Sequence, residues 1–414
     1  MRLTMKEKKA VTRQVAQRYF KATKKQKGLM LDEFVFTTGY TRSYARSVLR
    51  RWGARIHMRV SDRHYFVEPE RPTHKNKRRK ERLYDNKVLS SLRSVWIVSD
   101  YLCGKRLAPF LRESIPVLER FGEISLDSDT RTRLLSISAA TIDRLLKADK
   151  KKMSLKSKSR TKPGTLLKHQ IPIRTFCQWD DARPGFCEMD LVGHDGGDAS
   201  GEYAQTLDVT DIRTAWTETE AVRNKAQKWV FEALGHIIEN LPFDLLGLDS
   251  DNGSEFINAH LFRFCKENSI TFTRARSSRK NDNCYVEQKN WSVVRRAAGY
   301  MRYDTPEELE TLNEIYKHLR LYTNFFQPVM KLKEKTREGS KVTKRYDVPK
   351  TPYRRVLESE QVDEEVKERL KRQYITLNPA ELKRSIAKLQ EKLFKLSTSK
   401  PRRKTRNDFE YIYT

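Results

Sequence analysis

From Ile171 onward the hydrophobic pattern of this chain changes from helical spacing to an ordered series of strands and helices, and that order admits few folds. Gly185–Val192 reads as an apolar strand, followed by the glycine-rich connection GHDGGDASGE. Tyr203–Val209 and Thr214–Ala221 read as its partners, which predicts three antiparallel strands. A helix over Lys225–Glu239 follows, with Ala226, Trp229, Val230, Ala233 and Leu234 inward. Next come a buried strand Phe243–Leu248, a helix Ser254–Asn268, a short strand Ile270–Thr273 and a long helix Asn283–Tyr300.

This element order matches the ribonuclease-H-like α/β fold, and three acids fall at telling places in it. Asp190 ends the apolar run FCEMDLV, Asp251 lies in LDSDNGSEF, and Glu287 lies in NCYVEQKNW, thirty-five residues beyond Asp251. Carboxylates on converging strands and a helix can hold two hard divalent cations, Mg²⁺ or its substitute Mn²⁺. Such a pair activates the attacking oxygen and stabilises the leaving one when a nucleic-acid backbone is cut or joined. Glu188 shares the strand face of Asp190 and competes with it as a ligand, and Asp249 competes with Asp251 in the same way. Glu255, three residues after Asn252, fits a capping box instead. Glu287 would need Cys284 as its cap partner, a poor one, which leaves it for the site.

The charge balance selects the partner. Lys and Arg number 84 against 54 Asp and Glu, a formal net charge of +30. Such an excess attracts polyanions through counterion release, and no amphipathic helix with a bulky apolar face favours a membrane instead. No run of eighteen apolar residues spans a bilayer, and MRLTMKEKKAVTRQ lacks a signal-peptide core, so a cytoplasmic protein is expected. The basic loop RARSSRKNDN before the last helix offers Arg276, Arg279 and Lys280 to phosphates, and Arg295 extends that contact or is simply solvated. Asp195–Asp198 (DGGD) lacks a calcium-loop ligand set and reads as a hairpin turn. The five cysteines are scattered singly, which predicts neither structural zinc nor a disulfide framework.

The organisation expected is multidomain, with all-α N-terminal modules, the α/β core and a mostly helical, basic C-terminal tail. Residues 1–60 read as a helix-turn-helix DNA-binding domain. In it Gly39 breaks the pattern, Thr41 caps Arg42–Trp52, and Arg42, Arg46 and Arg50 face DNA. Residues 61–86 form a basic linker, 87–148 a second helix-turn-helix-like domain with Ser138 as cap, and 149–170 a Lys/Ser-rich linker. The core occupies 171–330, and 331–414 an extended strap and a helix started by Asn378 and Pro379.

MDLVGHDGG, LDSDNGSEF and VEQKNW together resemble the D,D-35-E catalytic core of retroviral integrases. They resemble bacterial insertion-sequence DDE transposases more closely still, over roughly residues 160–330. The resemblance implies that Asp190, Asp251 and Glu287 bind two Mg²⁺ ions. It implies cleavage at the terminal inverted repeats of a mobile element, and direct attack of the freed 3′-hydroxyl on target DNA. It further implies a homo-oligomer, dimer or tetramer, on double-stranded DNA. A regulator or nuclease that cannot join strands is the competing expectation. The chain departs from retroviral integrases in its N-terminal helical modules, in having no evident C-terminal barrel, and in Ser277-Ser278 where a proline is common.

Overall fold

The computed structural model describes residues 3–53, 56–60, 63–67, 83–152, 183–250, 256, 259–274 and 284–400. Two compact units emerge, Met1–Leu83 and Tyr84–Thr414.

In the first unit α1 (Met5–Lys21) and α2 (Lys24–Thr38) each start with a capping box, Thr4 with Glu7 and Thr23 with Gln26. Gly39 ends α2 in the left-handed conformation at φ 66°, and Thr41 caps α3 (Arg42–Arg51) two residues later. Ala16, Tyr19, Leu31, Phe34, Ala45 and Leu49 form the core of the three helices. Arg42, Arg46 and Arg50, spaced one turn apart, are exposed, and Arg42 pairs with Asp32. An antiparallel hairpin follows, β1 (Ile56–Val60) with β2 (Arg63–Val67). It crosses the boundary at residue 60 where a linker was expected. The dense charge just beyond hid the β-branched and aromatic residues of IHMRV and RHYFV, which favour strands.

The second unit opens with α4 (Asn86–Val98), α5 (Gly104–Arg120), α6 (Ser128–Ser136), α7 (Ala139–Leu145) and α8 (Lys147–Lys152). Ser138 caps α7 after the two-residue turn Ile137-Ser138. The sheet comprises β3 (Phe186–Gly193), β4 (Gln205–Asp211) and β5 (Thr217–Val222), then β6 (Gly247–Ser250) and β7 (Thr271–Arg274). Its order is β5-β4-β3-β6-β7, with β3, β4 and β5 antiparallel and β6 and β7 parallel to β3. That is the expected ribonuclease-H-like arrangement. Helices α9 (Gln227–Asn240) and α10 (Ala259–Glu267) precede β6 and β7. Strand β6 begins at Gly247, later than the expected Phe243, and at that residue it passes closely over Phe186. A Cβ at Gly247 would lie 2.5 Å from that ring.

The predicted long helix is α11 (Cys284–Lys289), a π-helical turn Asn290–Arg295, and α12 (Arg296–Ala298). Helix α13 (Pro306–Phe326) covers β5, and a hairpin of β8 (Leu332–Glu338) and β9 (Lys341–Tyr346) replaces the expected strap. Helices α14 (Pro352–Leu357), α15 (Glu364–Thr376) and α16 (Pro379–Ser399) complete the unit. Asn378 caps α16, which lies along α13 with Leu382, Ile386 and Leu393 buried. No helix among the described residues is long and apolar enough to cross a membrane.

The helical block 87–148, read from sequence as a separate domain, shares its core with the sheet and C-terminal helices. Polar contacts lock the seam. Arg106 Nε donates to the Pro328 carbonyl (2.6 Å), Arg354 Nε to Glu113 (3.2 Å), and Asn378 Nδ2 to Glu123 (2.7 Å). Arg384 and Asn378 hold the Glu123 carboxyl down at about 2 from its usual 4.5. Apolar periodicity marks a helix face for burial but does not say which partner buries it.

Two predictions follow from these packings. Gly104 starts α5 so close to α7 that a Cβ would lie 2.1 Å from the Ala139 carbonyl oxygen. Gly104→Ala should therefore cost about 1–3 kcal/mol by overpacking, read from denaturant melts. Glu123, with a depressed folded-state value, stabilises the unit above its unfolded pKa and ceases to as pH falls through about 2. Glu123→Gln should melt below wild type at pH ~6, and the gap should close on acidification below the ordinary carboxylate range.

Candidate active site

Strand β3 presents Glu188 and Asp190 two residues apart, hence on one face, and α11 lies against that face. Glu188 is fully buried, and its Oε2 accepts from the backbone amides of Tyr285 (2.9 Å) and Val286 (3.1 Å). These are first-turn amides of α11, which lack helical partners, so a strand residue caps this helix. Asp190 is half-buried. Its Oδ1 accepts from the Leu191 amide (2.8 Å) and its Oδ2 from Asn290 Nδ2 (2.6 Å). Glu287 sits on α11 between those two attachments, three residues before Asn290, and is exposed. Residues three apart share a helix face, so Asn290 fixes the side of the helix on which Glu287 stands.

Strand β6 runs parallel beside β3, with Glu188 paired to Asp249 and Met189 paired to Ser250. Asp249 is fully buried and accepts from Thr273 Oγ1 of β7 at 2.5 Å. The two competing acids thus have structural partners, Glu188 in the first turn of α11 and Asp249 on the neighbouring strand. Asp251, Glu255, Arg276, Arg279 and Lys280 lie outside the described residues. Among the described residues no three His, Cys, Asp or Glu gather as a metal site. Asp190 and Glu287 carry the hard carboxylate oxygens that Mg²⁺ prefers.

Beneath Asp190 lies a pair that sequence reasoning missed. Asp208 of β4 is the register partner of Asp190 and is fully buried. Burial pushes its carboxyl up to about 8, the Lys289 ammonium opposes that, and the Asp190 charge adds to it. Lys289 is also buried; burial pushes its ammonium down to about 8, and Asp208 opposes that. Its Nζ donates to the Ala215 carbonyl at 3.3 Å. The available signal was the lysine itself, two residues after Glu287 and directly before Asn290 in VEQKNW.

Arg295 has a structural task in place of the expected phosphate contact. It donates to the carbonyls of Gly193 (2.8 Å) and Gly299 (3.4 Å), and its guanidinium lies 5.0 Å from the Tyr300 ring. The Asp195–Asp198 loop is a turn, as its sequence indicated. Asp195 and Asp198 accept from the amides of Gly197 and Ser200, and Arg302 donates to the carbonyls of Asp198, Ser200 and Glu202.

No protein-family model matches the chain. Among solved structures it is similar to the catalytic core domain of BIV integrase, at 18% identity and a TM-score of 0.28, over 41% of this chain and 91% of that one. It is also similar to the HTLV-2 integrase catalytic core domain in complex with magnesium (dimeric form), at 15% identity and a TM-score of 0.27, over 35% of this chain and 90% of that one. The strand order, rather than these likenesses, carries the fold assignment. Over 354 residues, 86% of this chain and 96% of the other, it is 38% identical to the uncharacterized protein y4rM of Sinorhizobium fredii, and the chain belongs to the family of that protein.

Proposed function

We propose that the chain is a DDE transposase that binds the terminal inverted repeats of a mobile element and cuts and joins DNA with two Mg²⁺ ions. One observation carries this reading. Met189 and Ser250 are register partners on two parallel strands, and in the sequence they are followed by Asp190 and Asp251. The helix bearing Glu287 is tied to that same strand through Glu188 and Asn290. Asp190, Asp251 and Glu287 are the metal-binding acids on this reading.

The two cations, when bound, activate the attacking oxygen and stabilise the leaving one. The chain's own residues do the rest. Glu188 and Asn290 hold Glu287 at a set place relative to Asp190, so the acids do not have to be reorganised on binding. Arg276, Arg279 and Lys280 steady the phosphates near the reacting bond. The helices α2 and α3, joined through Gly39, present Arg42, Arg46 and Arg50 to DNA, and the α6–α7 turn is the second recognition element. A homo-oligomer on double-stranded DNA would let both element ends react together.

Purified protein incubated in Mg²⁺ with labelled terminal-repeat DNA and a plasmid target should give joined products. Nicks without joining would assign a nuclease, and binding without either a regulator. Asp251→Asn and Glu287→Gln should each lower joining by about a thousandfold or more, because metal stabilisation of transition-state charge is worth several kcal/mol. DNA affinity should stay within about twofold, and a variant that still joins would remove that residue from the site. Glu188→Ala leaves two buried amides without their acceptor and should cost about 1–3 kcal/mol in melts as well as activity. Glu188→Gln keeps an acceptor oxygen and should recover part of both; equal behaviour of the two variants would remove the capping role.

A further inference from the structure

A two-stranded sheet without a packing partner is marginal in water. In the β8–β9 hairpin every described side chain from 332 to 346 is exposed. Its base is nevertheless firmly held. The Lys331 amide donates to Asp347 Oδ1 (2.6 Å) and the Asp347 amide to the Lys331 carbonyl (2.9 Å). Arg355 grips Asp347 at 2.7 Å, with both side chains largely buried. Lys331 Nζ donates to the carbonyls of Ile212 and Arg213 and lies 5.6 Å from the ring of Tyr285. Tyr285 is two residues before Glu287 on α11, so the hairpin is rooted beside the candidate active site.

The register sorts the hairpin into two unlike faces. On one, Glu334 pairs with Arg345, Thr336 with Thr343 and Glu338 with Lys341, and Glu334 and Arg345 approach to 3.4 Å. That face balances its own charge. On the other, Leu332 pairs with Tyr346, Lys344 with Lys335 and Arg337 with Val342, so no carboxylate stands across from a cation. The exposed Arg337 and Lys344 on this face present positive charge that a bound polyanion would neutralise. Leu332, Val342 and Tyr346 on this face are 48%, 43% and 47% exposed, apolar surface that can contact sugars and thymine methyls.

We propose that β8–β9 is a ribbon that binds double-stranded DNA next to the reacting bond, through the face carrying Leu332, Arg337, Val342, Lys344 and Tyr346. The inference rests on the DNA-processing reading above and names a contact surface for it. Seven residues of strand span roughly 23 Å, and a major groove about 12 Å wide admits a two-stranded ribbon. A second copy of the chain fits less well, because an isologous contact would set this cationic face against itself.

The test uses the full chain and a fluorescent duplex of about 40 base pairs, titrated between about 50 and 200 mM salt. The Arg337→Ala/Lys344→Ala variant should shrink the slope of log K against log salt by about 1.8, roughly 0.9 per lost phosphate contact. Lys317→Ala/Lys392→Ala, which removes two exposed cations on helices α13 and α16, should leave the slope unchanged. An unchanged slope in the hairpin variant, or an equal fall in the control, overturns the proposal. So does a loss of self-association by sedimentation with the slope intact, which would assign the ribbon to a second copy. If wild type joins DNA ends but the hairpin variant keeps its slope, the ribbon fails and the transposase reading stands. If the slope falls as expected but wild type never cuts or joins, the ribbon stands and the transposase reading fails.

Discussion

The contact on which the candidate site depends is the seat of α11 on β3, made by the Glu188 carboxylate against the first amides of the helix. A carboxylate at zero exposure is costly unless it is hydrogen-bonded, and first-turn amides have no acceptor within their own helix. Each needs the other, and the positive end of the helix dipole adds to the match. Asn290 then fixes the rotation of the helix through Asp190, at the residue where the π-helical turn begins. A π-helical turn shifts the side chains that follow it, and such turns are frequent at functional sites. Here Asn290 opens the turn and is tied to Asp190, Lys289 is buried just before it, and Glu287 remains exposed.

Much of this was legible in the chain because local signals and tertiary demands agree. Thr41, Ser138 and Asn378 each cap the helix they were expected to start, and Gly39 sits in the left-handed conformation that a tight turn requires. The order of strands and helices after residue 183 follows the predicted series. What was not legible was pairing. The hairpins β1–β2 and β8–β9 are short, polar and surrounded by lysine and arginine, so charge density hid them. Glu188 and Asp190 could not be told apart by parity, since both face α11; only the amides of a helix nearly a hundred residues away distinguish them. The Asp208–Lys289 pair was hidden for the same reason, because its partners meet only through the sheet and helix that carry them.

The helical block and the C-terminal helices show how a chain with net charge +30 places its acids. Asp100 receives both Arg296 and Lys383, Glu123 receives Arg384 and Asn378, and Lys400 reaches both Asp304 and Glu308. Several acids therefore act as hubs at seams between helices, each engaging two partners. Exposed ion pairs contribute little individually, so the seams depend mainly on the shared apolar core. The hubs serve to fix orientation.

The buried pair beneath Asp190 bears on how acids can be concentrated in one place. Like charges at a cation site raise one another's proton affinity and repel across the sheet. Asp208, the register partner of Asp190, is fully buried, and burial favours its uncharged form. Lys289, buried as well, donates to the Ala215 carbonyl, and its ammonium offsets any negative charge on Asp208. The two together keep Asp208 from adding net negative charge beside Asp190. The field at the site is then set by the acids that face solvent and α11, which are the ones a divalent cation can reach.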